Sequence, residues 1–322
     1  IAGAGLMGQT HAHNYLKLNN AKIYALAEKN PDKQIKFKEQ FEPLKIYEDV
    51  FEMVNDRDLD IIDICLPTPL HAECAIAALN NNKNVLLEKP IAMNMEEAEL
   101  IKTSSVKSKG KIMIGHVLRF WPDYTSLKKV MHLKKLHQKS VVISALRFNE
   151  YPLWSEDRWI MNEELSGGVI VDLIIHDIDF IIWSFGKVEK VFCHGIYDNN
   201  NFTVQVMAVL KMKNGMVAYV EGGYLNPGGT GLTSNMKIYG QQFFMEMYSD
   251  KKYIRLHQEN KPPEDFPIEE TDGYYEQVKY FLKCVEQDTE PDIVTIDEAI
   301  ESLKTCLAIR KSFKEEKWIM VN

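Results

Sequence analysis

Apolar positions in the first third of the chain fall into short strand-like runs separated by stretches of helical period. Ile1-Ala2 reads as the end of a strand, and Gly3-Ala4-Gly5-Leu6-Met7-Gly8 leads from it into a helix through Tyr15 and Leu18. Lys22–Ala27 reads as a second strand. Pro31 opens a helix with Ile35, Phe37 and Phe41 inward. Ile61–Leu66 is too short for an ordinary helix and is stopped by Pro67, so it reads as a buried parallel strand. Pro69–Asn80 and Met95–Lys109 read as helices, with the strand Asn84–Leu87 between them. This alternation predicts a parallel sheet covered on both faces as far as residue 120.

The period then changes. Trp121–Gln138 and Val169–Phe185 read as helices, the second closed by Gly186. Strand-like runs follow without helices between them: Val188–Tyr197, Phe202–Met212, Met216–Tyr224, Asn235–Tyr239, Phe243–Tyr248 and Tyr253–His257. Lys213-Asn214-Gly215 marks a hairpin. Consecutive strands predict a large open antiparallel sheet, hence a second, α+β domain over residues 121–322 after an α/β domain over 1–120. Val204–Leu210 is apolar at nearly every position, and a sheet buried on both faces needs two covers. The C-terminal helices Gly273–Gln287 and Asp297–Glu315 could supply the second cover, or another copy of the chain could. The expectation is a homodimer or homotetramer joined through this sheet. Pro262–Gly273 reads as an acidic loop.

Composition narrows the class. At 322 residues the chain fits two domains, and 45% apolar with 26% charged residues is ordinary for a globular protein. No run approaches the roughly 18 apolar residues of a membrane span. The net charge of −8 gives no attraction to nucleic acid. Lys128, Lys129, Lys134, Lys135 and Lys139 cluster, but without interleaved aromatic residues, which suits a solvated helix face better than a phosphate-binding one. Cys65, Cys74, Cys193, Cys284 and Cys306 are odd in number and include no C-x-x-C pair, so a reducing cytoplasm is expected rather than a disulfide framework or zinc site. The chain opens only two residues before the glycine turn, so the first strand is expected to extend upstream.

The glycine turn suggests the first chemistry. Gly3 permits the tight turn, Gly5 lets the backbone approach a pyrophosphate, and Gly8 lets the helix pack closely. The helix N-terminus, at Leu6 and Met7, offers N–H groups to phosphates. Glu28 lies twenty residues beyond Gly8, at the end of the second strand, where a carboxylate can accept from ribose hydroxyls and repel a 2′-phosphate. NAD is therefore the expected cofactor. The adjacent Lys29 softens that exclusion, so NADP stays open.

Three residues could act on a hydroxyl. Lys89 follows the strand Asn84–Leu87, at the strand end where open parallel sheets bind ligands, and an ammonium there can favour an alkoxide. Asp172 and His176 are four apart in an apolar helical run, which puts both on one face. Histidine suits removal of a hydroxyl proton during hydride transfer, and Asp172 could orient it or hold a neighbouring hydroxyl. Asp179, three beyond His176, could complete a metal face, but no convincing further ligand is present, so no metal is expected.

Together these motifs resemble the Gfo/Idh/MocA family of NAD(P)-dependent oxidoreductases over nearly the full chain. The resemblance rests on Gly3–Gly8, Leu66-Pro67-Thr68-Pro69-Leu70-His71-Ala72-Glu73, Glu88-Lys89-Pro90-Ile91-Ala92, Arg119-Phe120-Trp121-Pro122, Ser166-Gly167-Gly168 and Asp172–Asp179. It implies a Rossmann domain and a sheet domain, with Lys89, Asp172 and His176 as the catalytic set. It implies Pro67, Thr68, His71, Glu88, Arg158 and Trp159 near the cofactor, and a last helix, 297–315, that returns to the Rossmann domain. By position, Arg119, Asn149, Arg158 and Tyr224 are candidates to hold a polyol alongside the catalytic set. The expected activity is hydride transfer between NAD and a hydroxyl carbon of a sugar, cyclitol or sugar derivative. Two alternatives stand beside it: glycoside cleavage or elimination with a recycled NAD, and a non-catalytic NAD-binding sensor.

Overall fold

The computed structural model describes residues 1–136 and 140–322; Gln138 and Lys139, assigned above to a helix and to the lysine cluster, lie outside them. The chain divides into two compact units, residues 1–117 with 272–300, and residues 118–271 with 301–322.

The first unit is a parallel sheet of short strands: β1 (Ala25–Ala27), β2 (Lys45–Tyr47), β3 (Ile61–Ile64), β4 (Asn84–Glu88) and β5 (Ile112–Gly115). β1 pairs with β2, and β3, β4 and β5 lie side by side. Ala2 bridges Ala27 on one side and Ile64 on the other, so the chain's first residues sit at the centre. This is the doubly wound order in which ligands lie beyond the carboxyl ends of the strands, where the topology switches. The burial of Ile62, Ile64, Val85, Leu86, Leu87, Met113 and Ile114 supplies the core. The strand expected over Lys22–Ala27 is confined to its last three residues.

The first unit also takes back Asp272–Ile300, further upstream than the expected return of 297–315. The helix Gly273–Glu286 packs on the helix Leu6–Tyr15 that follows the glycine turn. Asn20 donates to Glu286 at 2.7 Å, and Lys17 lies 3.6 Å from Asp272. The helix Ile296–Glu315 is divided between the units at Ile300.

The second unit is a nine-stranded sheet. Its strands are β6 (Ser140–Glu150), β7 (Val188–Tyr197), β8 (Thr203–Met212), β9 (Val217–Asn226), β10 (Thr233–Gly240), β11 (Phe243–Tyr248), β12 (Tyr253–Gln258), β13 (Glu264–Pro267) and β14 (Ile319–Met320). They run in the order β13-β12-β11-β10-β6-β9-β8-β7-β14, antiparallel except for the parallel pair β6 and β9. The hairpin at Lys213-Asn214-Gly215 is present between β8 and β9, with Gly215 at φ +90°. β6 is not among the expected strands. It follows the polar segment 137–139 and carries Arg147, Asn149 and Glu150, which breaks the apolar pattern. β13 forms inside the expected acidic loop, as an edge strand whose side chains stay mostly exposed.

The segment Val169–Leu173 packs on β8 and β9, and the helix Ile175–Phe185 packs on β9. In β8, Val204, Val206, Ala208, Leu210 and Met212 are buried while Gln205, Met207, Val209 and Lys211 are half-exposed. The strand is therefore half-buried in a single chain, with the strict alternation of a sheet covered on one face, and not buried on both faces as its composition suggested.

Candidate functional site

The glycine turn fits a dinucleotide phosphate. Gly3 has φ +95°, and a Cβ there would stand 2.7 Å from the Cys65 carbonyl oxygen. A Cβ on Gly8 would stand 1.9 Å from the Gly3 carbonyl oxygen, so the helix could not close on the turn. A Cβ on Gly5 would meet nothing within 4 Å, which leaves open space above the turn. Gly5 is the N-cap of the helix Leu6–Tyr15 and supplies no side-chain cap, and the first turn carries no acid. Its N–H groups are left to an anion, where the helix dipole favours negative charge. Leu6 is exposed and Met7 half-buried beside them.

Glu28 is tied to the same turn. Its Oε2 accepts from the Ala4 N–H at 2.9 Å and its Oε1 from the Asn30 N–H at 2.9 Å. The carboxylate is half-buried and sits at the end of β1, and Lys29 beside it is exposed.

Two residues expected around the cofactor, His71 and Glu88, contact buried partners within the protein. Both ring nitrogens of His71 lie 2.8 Å from main-chain oxygens, of Pro90 and of Leu66, and the side chain is buried. Burial pushes its pKa down despite the two carbonyls, and a neutral ring donates to only one of them. His71 thus ties the loop after β3 to the loop after β4. Thr68 is buried, whereas Pro67 is exposed. Glu88 is buried, with Oε2 accepting from the Lys89 N–H at 3.1 Å and Oε1 3.1 Å from Nε2 of His11. Lys89, half-buried between the buried Glu88 and Pro90, is where the carboxyl end of β4 opens to solvent.

In the second unit, Asp172 and His176 do not share one uninterrupted helix. Gly167 and Gly168 are left-handed, at φ +77° and +63°, and Val169–Leu173 winds as a π-turn closed by the Ile174 N–H on the Val169 oxygen at 2.9 Å. The regular helix begins at Ile175. The β-branched run Val169-Ile170-Val171 resists close helical winding, and π-turns recur at functional sites. Gly222 of β9 lets Ile174 approach; a Cβ there would stand 2.3 Å from Ile174 Cγ2. From Val169 to Phe180 every residue is buried except Asp172 and His176.

Tyr224, expected to contact substrate, is 2% exposed and donates to Asp172 Oδ2 at 2.5 Å. Burial, then the Asp172 charge, hold its pKa well above the usual tyrosine value, so it remains a donor. Its role in this structure is to fix the carboxylate. Arg119 is also reassigned. Its side chain is 0% exposed and grips Asp179 through Nε at 2.9 Å and a terminal nitrogen at 2.8 Å, with Ser302 donating to Asp179 at 2.9 Å. Asn149 is half-buried beside a β-bulge, and its Oδ1 accepts from the Glu150 N–H at 2.9 Å. Arg158 is exposed at φ +55° and faces an open cleft of about 720 Å³ with Tyr197, Arg310 and Lys314; Trp159 is half-buried.

Sequence reasoning missed the buried ions that carry the helix of His176. Asp177 accepts from Arg147 Nε of β6 at 2.6 Å and from the Tyr124 hydroxyl at 3.1 Å, and Arg147 also donates to that hydroxyl at 2.6 Å. The available signal was two aspartates in an otherwise apolar helix, since buried charge demands partners. His11, Asp63 and Cys65 in the first unit were missed as well.

The fold and turn define an oxidoreductase with an NAD-binding Rossmann domain and a domain built on a large, mostly antiparallel sheet. The family described as "Oxidoreductase family, NAD-binding Rossmann fold" (GFO_IDH_MocA) matches residues 1–116, and "GFO/IDH/MocA C-terminal domain" matches residues 139–244. The chain belongs to the Gfo/Idh/MocA family. It is 24% identical to a myo-inositol 2-dehydrogenase of Thermotoga maritima, over 98% of this chain and 96% of that protein. It is 23% identical to a scyllo-inositol 2-dehydrogenase (NAD(+)) of Bacillus subtilis, over 98% of this chain and 93% of that one. The fold matches a levoglucosan dehydrogenase solved with NADH and levoglucosan at a TM-score of 0.88 and 18% identity, covering 99% of this chain and 98% of that one.

Proposed function

We propose that the protein oxidises a secondary hydroxyl of a cyclitol or sugar with NAD, reversibly, using Lys89, Asp172 and His176. The observation that carries this reading is the selective exposure of Asp172 and His176 in a run that is otherwise buried from Val169 to Phe180. Apolar packing has no use for two such polar openings, whereas proton transfer requires them. The curated relatives named as inositol dehydrogenases support the substrate class.

A bound nicotinamide supplies the hydride acceptor. As the carbinol hydrogen leaves with its electron pair, His176 takes the hydroxyl proton, so that the alcohol becomes a ketone. The Lys89 ammonium holds the same oxygen and favours its alkoxide character. Asp172, anchored by Tyr224, orients the imidazole or a neighbouring hydroxyl. The N–H groups at Leu6 and Met7 hold the pyrophosphate and Glu28 the adenosine ribose. Asn149 is a candidate polyol contact; Arg119 is not, being spent on Asp179. Five free cysteines suit a reducing, cytoplasmic setting, and the half-exposed sheet face suits a homo-oligomer. Among the described residues no helix is long and apolar enough to cross a membrane.

The test is a screen of inositols, sugars and sugar acids with NAD, following NADH. Release of NADH into solution with a cyclitol or sugar supports the reading. Conversion of a glycoside without net NADH would replace it with recycled-cofactor cleavage, and NAD binding without any turnover would replace it with a sensor.

A further inference from the structure

We propose that His11, clasped as an imidazolium between Asp63 and Glu88, is a positioning residue that fixes the main chain at Lys89 against the glycine-rich turn, so that NAD affinity depends on the His11 proton. The proposal rests on the reading that the first unit binds NAD beside Lys89.

His11 stands one turn beyond Gly8 on the helix Leu6–Tyr15, and its side chain is 0% exposed. Its Nδ1 lies 2.9 and 3.1 Å from the two carboxylate oxygens of Asp63, in β3. Its Nε2 lies 3.1 Å from Oε1 of Glu88, the last residue of β4. The other oxygen of Glu88 accepts from the Lys89 N–H at 3.1 Å. One ring therefore links the helix of the glycine turn, the strand that leads into Cys65 beneath Gly3, and the residue that precedes Lys89.

Nδ1 meets the Asp63 carboxylate in hydrogen-bond geometry, while Nε2 and Glu88 Oε1 stand 3.1 Å apart as an ion pair in which neither atom has a hydrogen-bond partner among the described residues. An imidazolium puts a cation between the two buried carboxylates, whereas a neutral ring would turn a lone pair toward one of them. The remaining groups around the ring do not displace that proton. Cys65 Sγ lies 3.5 Å from Nδ1 and 3.4 Å from Asp63. Tyr15, on the same helix, is buried beside Asp63, and the Tyr274 ring, from the helix Gly273–Glu286, lies 6.0 Å away. Burial alone would lower the His11 pKa; the Asp63 charge and hydrogen bond, with Cys65, hold it well above the usual 6.5. His11, Asp63 and Cys65 also place three donor atoms within 4.8 Å of one another, as a metal would need. Against a metal, burial and the Asp63 charge push the Cys65 thiol up to about 12, and Glu88 occupies the opposite ring nitrogen.

The experiment is calorimetric NAD binding from neutral to alkaline pH with wild type, His11→Gln and Asp63→Asn, alongside NMR titration of the wild-type His11 ring. Wild type should bind with constant affinity near neutrality and weaken at alkaline pH. His11→Gln should bind about tenfold or more weakly at neutral pH, with that alkaline decline gone, as loss of charge-assisted hydrogen bonds implies. Asp63→Asn should move the decline to lower pH by about one unit or more, since it removes the charge that holds the proton. If wild type binds NAD while neither variant shifts the profile, the role of His11 is refuted and the cofactor reading stands. If wild type binds no NAD at any pH, both fall. If His11→Gln does not fold, Asp63→Asn and the ring titration decide, and a His11 proton lost near 6.5 overturns the proposal. One equivalent of tightly held zinc, with NAD affinity that follows its removal, also overturns it.

Discussion

The phenol of Tyr224 donates to the Asp172 carboxylate at 2.5 Å from a ring that is 2% exposed. β9 thereby reaches across to the π-turn that precedes the His176 helix and fixes the orientation of its exposed acid. Two neighbouring ion clusters, Arg147 with Asp177 and Arg119 with Asp179, anchor the same helix from its buried side. The helix is thus anchored by buried ions while Asp172 and His176 are the half-exposed residues between Val169 and Phe180.

Tyr224→Phe removes the donor and keeps the ring. The expected loss is about 1.5–3 kcal/mol of transition-state stabilisation, or roughly 10- to 150-fold in kcat/KM, because a charged acceptor loses its partner. Steady-state kinetics on the best substrate from the screen checks it, with thermal melting as a control. An unchanged kcat/KM would remove Tyr224 from the account.

Asp179→Ala leaves the Arg119 guanidinium buried without its carboxylate and takes an acceptor from Ser302. Breaking one side of a buried pair costs about 3–5 kcal/mol. Urea unfolding of the second unit should show that loss. Removing both charges, as Arg119→Met with Asp179→Leu, should recover much of it.

Glu28→Ala frees the Ala4 N–H and removes the charge that opposes a 2′-phosphate. NADP should gain relative to NAD in kcat/KM by about tenfold or more, since each 1.4 kcal/mol is worth that factor. An unaltered ratio would assign cofactor choice to another residue.

His71 and His11 give stability opposite slopes with pH. Burial lowers the His71 pKa below 6.5, so the unfolded chain binds more protons there and stability falls as pH drops from 6.5 toward the folded value. The His11 pKa is raised, so its contribution is complete below 6.5 and is lost as pH rises through the folded value. Urea midpoints against pH should show the acid-side decline reduced in His71→Gln and the alkaline decline reduced in His11→Gln.

Much of this was legible because local chemistry and fold agree. The glycine turn and the strand read over Asn84–Leu87 each carry a spacing that physics restricts to few structures, whereas the π-turn that separates Asp172 from the helix of His176 was not read. All six late strand-like runs begin within two residues of an observed strand start, because their β-branched alternation matches the pleat. β6 was missed because Arg147 and its polar neighbours break the apolar pattern, and only the fold reveals that Asp177 neutralises that charge. The roles of Arg119, Tyr224, His71 and Glu88 were not legible either. A side chain that satisfies a buried partner and one that satisfies a ligand look identical in sequence, and they separate only when distances show which bonds are already made.

The most direct test of the account is single-turnover NADH formation with the best cyclitol or sugar substrate in wild type, Lys89→Met and His176→Ala, with NAD binding measured in parallel. The account predicts rapid NADH formation in wild type and losses of about 100-fold or more in both variants, the scale of a lost general base or charge stabiliser, with NAD still bound. Wild-type rates in both variants, or NAD bound with no NADH formed from any polyol, would contradict it.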